Sequence, residues 1–198
     1  MKQLLLKSIF AVFIIIAGAQ ANAQNHIDLR WGYFLPVNDH LQQSFSNPRS
    51  FSIALMHPIP KSKFEAGIKF SHERYVSKDE QDADINNITI HNYLVSGRYD
   101  LVQKEAYNIF TMADAGINRS NKNEIKNGIT SKVDRTGATV GLGIGIEFKI
   151  SGRLLLSSNV QTQYAYTDDF NYTDKINTNY LFNVAANIGM RIQLKRKS

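Results

Sequence analysis

The chain contains no cysteine. That removes disulfides, thiolate metal sites and a cysteine nucleophile together. It also removes the N-terminal cysteine that a lipoprotein anchor requires. Beyond the N-terminal region, no apolar run reaches the roughly 18 residues that a transmembrane helix needs. No basic stripe runs along the chain either. The formal charge of +6 includes Lys2 and Lys7, and the rest is spread out except for Lys195-Arg196-Lys197.

What is present begins with an export signal. Lys2 and Lys7 make a basic start, an apolar run follows from Ile9 to Ala17, and Ala21-Asn22-Ala23 fits the small-x-small cleavage rule. Residues 1–23 are therefore expected to leave as a signal peptide, cut after Ala23. The mature protein is expected to start at Gln24 with an excess of about +4, since two lysines go with the signal. An exported chain with that modest, dispersed charge is not a nucleic-acid binder. Contact with anionic lipid headgroups, or plain solvation, accounts for it.

The rest of the chain has a period of two. In the segment 180–195, Phe182, Val184, Ala186, Ile188, Met190, Ile192 and Leu194 form one row. Asn183, Ala185, Asn187, Gly189, Arg191 and Gln193 form the other. A strand points successive side chains to opposite faces, so this is a strand with one apolar and one polar face. It is longer than the 5–6 residues usual in soluble domains and long enough for the 9–11 of a tilted strand crossing a bilayer (both approximate). The same alternation appears at Ile27 to Leu35, Phe51 to Leu55, Phe64 to Phe70, Ile88 to Leu101, Ile109 to Ile117, Ala138 to Ile150 and Leu154 to Tyr166. Phe110 breaks the pattern of its strand by falling on the polar face.

Eight strands result, an even number. The connections after the second, fourth and sixth strands are short. Those at 38–50, 78–87, 119–135 and 167–179 are long and polar. Short periplasmic turns and long external loops are the asymmetry of outer-membrane barrels. With odd strands running outward, Tyr33, Tyr75, Tyr164, Tyr166, Tyr180 and Phe182 fall at the outer rim, and Phe64, Tyr99, Tyr107 and Phe148 at the inner rim. That makes two aromatic girdles. The expected fold is all-β: an eight-stranded antiparallel up-and-down transmembrane barrel over 24–198. The competing architecture is a soluble, lipocalin-like periplasmic carrier with an apolar interior. The polar face is instead rich in Gly, Ala, Ser and Asn, which suit a crowded, narrow lumen, and the other face is aliphatic with aromatic rims, which suits lipid.

On these residues the whole mature chain resembles the small eight-stranded outer-membrane proteins of Gram-negative bacteria, the OmpA/OmpX-like β-barrel group. The resemblance rests on pattern rather than on a diagnostic motif. It implies a monomer inserted by the outer-membrane assembly machinery, in contact with outer-membrane lipids and lipopolysaccharide. Such barrels often end in an aromatic residue that the machinery reads, whereas this chain ends Leu194-Lys195-Arg196-Lys197-Ser198.

The charges expected to face the lumen are Asp28, Arg30, Glu65, Lys69, Glu73, Arg98, Asp100, Asp114, Glu147, Lys149 and Arg191. Both signs are present in similar numbers. Paired, hydrogen-bonded charges are tolerable in a narrow lumen where lone ones are not. A plugging salt-bridge network is expected, with a small channel as the alternative. His72 and His91 fall on the apolar face near the outer rim, on neighbouring strands, where they could bind a metal, contact lipopolysaccharide phosphate or serve catalysis. Lipid A deacylases place a His and a Ser on the outer wall. No matching His-x-Ser segment occurs here, and Ser71 points to the opposite face from His72. Gly141-x-Gly143-x-Gly145 lies inside a strand, without the strand-turn-helix context of a nucleotide site. The glycines are expected to make room for bulky lumen neighbours. No catalytic, cofactor or metal residues are assigned, and no cofactor is expected. The expected role is structural, adhesive or surface-interacting, with an extracellular ligand or protein bound through the loops. The enzyme alternative is an outer-leaflet lipid A-modifying activity.

Overall fold

Eight antiparallel strands close on themselves. The computed structural model describes residues 25–37, 45–78, 85–126, 129–167, 171–173, 176–177 and 180–194. The barrel strands are β1 (His26–Pro36), β2 (Phe45–Pro58), β3 (Phe64–Ser77), β4 (Ile85–Gln103), β5 (Tyr107–Lys126), β6 (Ile129–Lys149), β7 (Leu154–Thr167) and β10 (Tyr180–Gln193). A small hairpin, β8 (Asn171–Thr173) and β9 (Ile176–Asn177), lies outside the barrel sheet. Each barrel strand pairs with the next in sequence, and β1 closes against β10. Closure leaves no unpaired edge, which is the condition for a sheet to stand in hydrocarbon, where no water can satisfy an amide. The described residues contain no α-helix.

The alternation expected of each strand holds, and the polar rows face inward. Trp31, Tyr33, Leu35, Leu142, Ile144 and Ile188 are among the exposed apolar residues, while Asp28, Arg30, Glu147, Arg98 and Arg191 are buried. The apolar-interior carrier is thereby ruled out: the polar face is inside. Asn25 and Leu194 meet at the strand ends, with the Leu194 amide donating to the Asn25 carbonyl at 2.8 Å, so both ends of the barrel sheet lie on the side of the short turns.

Several boundaries differ from expectation. The polar stretch 119–135 belongs mostly to β5 and β6, which stay paired from Tyr107↔Phe148 to Lys126↔Ile129. Polar residues occupy both rows of most of this stretch, so the apolar alternation that marks a strand is lost there while the backbone ladder continues. Likewise β2 begins at Phe45, inside the stretch 38–50, and β4 begins at Ile85, inside 78–87. The stretch 167–179 contains the β8–β9 hairpin. Residues 1–24, with the expected signal peptide, and 195–198 lie outside the described residues.

The girdles are also refined. Phe64, Tyr99 and Phe148 are exposed near the short turns, and Tyr33, Tyr164, Tyr166 and Tyr180 are exposed near the opposite rim. Tyr75 is not part of the outer girdle. Its position shares parity with Glu65, Lys69 and Glu73, so it points inward and is 1% exposed.

Candidate functional site in the lumen and on the outer wall

The lumen is filled in layers. Nearest the short turns is an ionic layer. The Arg98 guanidinium donates to both Glu147 oxygens (2.5 and 2.6 Å) and through Nε to Asp100 Oδ1 (2.9 Å). The Arg191 guanidinium donates from Nε and Nη2 to Asp28 (2.6 and 2.9 Å) and from Nη1 to Glu65 (3.1 Å). Arg191 also lies 3.3 Å from Glu147, which joins the two clusters. Arg30 adds a further donor to Asp28 at 3.0 Å. Planar guanidinium groups suit this layer because their forked donors match carboxylates in pairs.

Phe110 supplies the floor for these cations. It is fully buried, with Arg98 4.0 Å and Arg30 5.7 Å from its ring centre. Its place on the polar face, anomalous in the sequence, is thus a cation–π contact in a desolvated site. A Cβ added to Gly145 would strike the Phe110 ring, and one at Gly143 would lie 3.1 Å from Met112. The glycines of β6 do make room for bulky lumen neighbours.

Higher up, Lys69 donates to Asp114 (2.7 Å), which also accepts from Ser96 and from Gln161 (2.7 Å). Above it a carboxylate is held by neutral partners. Glu73 is fully buried and accepts from Asn92 (2.6 Å), Gln163 (2.6 Å) and the Tyr75 hydroxyl (3.3 Å). Asn183 donates in turn to Tyr75 Oη at 2.8 Å. Thr139 donates to Asn92 (2.8 Å) and Asn118 to Thr139 (3.0 Å), extending the amide network across the lumen. At the outer end, Phe45, Tyr75, Ile88, Ile90, Ala165 and Leu181 close into an apolar cap.

Every inward charge expected from the sequence therefore lies on the lumen face, and all but Lys149 are buried; Lys149 is exposed at the short-turn rim. Two lumenal cavities of about 10 Å³ each are lined by described residues, one beside Asp28 and Arg98 and one beside Glu73 and Gln163. Each has room for about one water. Sequence reasoning missed the apolar cap. Its signal is the inward parity of Ile88 and Ile90, four and two residues before Asn92.

On the outer wall, His72 and His91 are cross-strand partners, with Nδ1 atoms 3.4 Å apart. Ser71 points inward, where it accepts from Asn92 at 2.9 Å. Among the described residues no group of three or more His, Cys, Asp or Glu is arranged to hold a metal.

A closed eight-stranded sheet with a lipid-compatible exterior and a packed polar lumen defines the class of small transmembrane β-barrels found in outer membranes. Comparison with solved structures agrees. Neisserial surface protein A matches over 87% of this chain and 97% of that one, at 14% identity and a TM-score of 0.58. Ail, the attachment invasion locus protein of Yersinia pestis in complex with the heparin analogue sucrose octasulfate, matches over 87% and 97%, at 12% identity and 0.51. A major outer membrane protein from Thermus thermophilus matches over 86% and 99%, at 9% identity and 0.50. At these identities the likeness is one of fold. No family model matches the chain, and no curated protein matches it in sequence. The relationship thus stands at the level of small outer-membrane barrels rather than the OmpA/OmpX-like group in particular.

Proposed function

We propose that this protein is a closed, monomeric outer-membrane barrel, exported with cleavage after Ala23, that acts at the cell surface through the segments above its lipid-facing belt. One observation carries the reading: the lumen is occupied from the Arg98–Glu147–Arg191–Asp28 layer up to the cap of Phe45, Ile88 and Leu181. A wall so sealed leaves the exterior and the projecting strands as the working surfaces. Strands β4, β5 and β6 are 19, 20 and 21 residues long, against 11 to 14 for the other barrel strands, so one side of the rim stands well above the rest. Rigid scaffolds with projecting segments are where binding residues concentrate. A barrel of similar fold, Ail, is an attachment invasion locus protein found in complex with a heparin analogue, which supports an attachment role for this surface. The lipid A-modifying alternative lacks support, since the serine beside His72 faces the lumen.

The test has two arms. Purified protein in planar bilayers is expected to give no steady large channels, and steady channels would overturn the closed-barrel reading. Removing residues 122–133 from the projecting hairpin is expected to leave a barrel that still changes gel mobility on heating in SDS, yet to reduce attachment by cells displaying it. Unchanged attachment would overturn the role given to that hairpin.

A further inference from the structure

The outer wall is not uniform around the barrel. On β2, β3, β4 and β5 the outward apolar column runs up to Phe51, Phe70, Tyr93 and Ile117. The next outward residues are Arg49, His72, His91 and Arg119. Four adjacent strands thus change from apolar to basic at the top of the belt. On β7, β10 and β1 the corresponding positions are Tyr164, Tyr166, Tyr180 and Tyr33, without charge.

Within the basic wall, Arg49 and Arg74 are direct cross-strand partners, and both are exposed. Like charges placed directly opposite one another destabilise a sheet. Neither is ion-paired with another described residue. Arg119 differs, because it is held by Asp134 at 2.8 Å. Arg49 lies over the Tyr33 ring, 5.9 Å from its centre. His72 and His91 form the adjoining pair below, and His72 follows Phe70 outward along β3. Two exposed arginines at paired positions, neither ion-paired with another described residue, stand above a histidine pair and an apolar column and together make a seat for one phosphate whose acyl chains run down the wall. Arginine forks suit phosphate oxygens, and the column below suits lipid chains.

We infer that Arg49 and Arg74, with His72 and His91 beneath them, bind the phosphate of a phosphorylated outer-leaflet lipid headgroup. This rests on the barrel standing in the outer membrane. The site faces lipid and is separate from the projecting hairpin. The ligand chemistry is a phosphomonoester on a glycolipid, as in lipid A.

The chain's one tryptophan gives a local readout. Trp31 is exposed on the same outer face, paired with Phe51, two residues from Tyr33 on β1. The protein would be reconstituted in zwitterionic phosphatidylcholine vesicles and titrated with lipid A carrying brominated acyl chains, with Trp31 quenching followed. Wild type is expected to quench at low lipid fraction. The double variant R49Q/R74Q should need about tenfold more lipid A, equal to about 1.4 kcal/mol. K104Q/R153Q, which removes equal charge from exposed residues at the short-turn end, should match wild type. Dephosphorylated lipid A should bind wild type as weakly as lipid A binds the double variant. Heat-dependent gel mobility of each variant checks folding, so failure of the barrel and failure of the site are told apart. Equal titrations of wild type and R49Q/R74Q, or equal binding of dephosphorylated lipid A, would overturn the proposal. So would competition by inorganic phosphate at concentrations matching the lipid, because the source would then be a free anion.

Discussion

The two halves of the lumen solve the same problem with different chemistry. Near the short turns, carboxylates are neutralised by arginines: Asp28, Glu65, Asp100 and Glu147 against Arg30, Arg98 and Arg191. Near the outer rim, Glu73 is surrounded by amides and a phenol, under an apolar cap. The lower half carries several charges that share partners, so each is held by more than one neighbour. Among the described residues, the upper half carries one buried carboxylate, Glu73, and spreads its contacts over Asn92, Gln163 and Tyr75. Removing one member of an ionic network strands its partners in a dry interior. Losing a charge from an amide cage leaves groups that can re-pair. The lower half should therefore be the more sensitive to substitution.

The largest effect is expected for Arg98→Ala, which strips Asp100 of its guanidinium and leaves Glu147 with Arg191 alone. A loss of about 3–5 kcal/mol is expected in urea unfolding of the vesicle-inserted protein, read through Trp31 fluorescence. A loss below about 1 kcal/mol would mean that water already solvates this layer, and the contrast between the halves would collapse.

Gly145→Val tests the packing under that layer. The added side chain meets the Phe110 ring, the Ser158 carbonyl and the Asn159 Cβ, and overpacking of this kind costs about 1–3 kcal/mol in the same unfolding measurement. An unchanged midpoint would show that Phe110 and the β7 backbone at Ser158 and Asn159 give way freely.

Glu73→Gln is expected to change stability by less than about 1 kcal/mol, because Oε1 keeps its two amide donors and the new amide faces the Tyr75 hydroxyl. A loss as large as that of Arg98→Ala would show that the upper carboxylate has a cationic partner in solution. Replacing His72 and His91 together with Phe touches neither half. It should leave the unfolding midpoint within about 0.5 kcal/mol, in keeping with surface substitutions, and any larger shift would assign the pair a structural part.

The architecture was legible because lipid and lumen impose opposite chemistry on alternate residues. The segment 180–195 could be read residue by residue, and over its described residues, 180–194, each face is as its parity required. Boundaries were less legible wherever the strands leave the membrane, since the alternation that marks a strand there has no physical cause. The hairpin of β5 and β6 had one sequence cue, the Asn127-Gly128 pair, a turn signal that outlasts the loss of apolar pattern. Tyr75 was misplaced by treating a tyrosine near the rim as a girdle residue, when strict parity puts it beside Glu73. The lumen charges were legible as a set but not as pairs, because Arg98 and Glu147 are 49 positions apart in sequence.

By itself, then, the sequence determined that this protein forms a closed barrel with charges inside and hydrocarbon outside. Alternation is a local property, and each strand carries it independently. Only the tertiary structure decided which charges pair, why Phe110 faces inward, and that Arg49 stands opposite Arg74. Those outcomes depend on the register between strands. Register is set by the closure of the whole sheet, which no single segment contains.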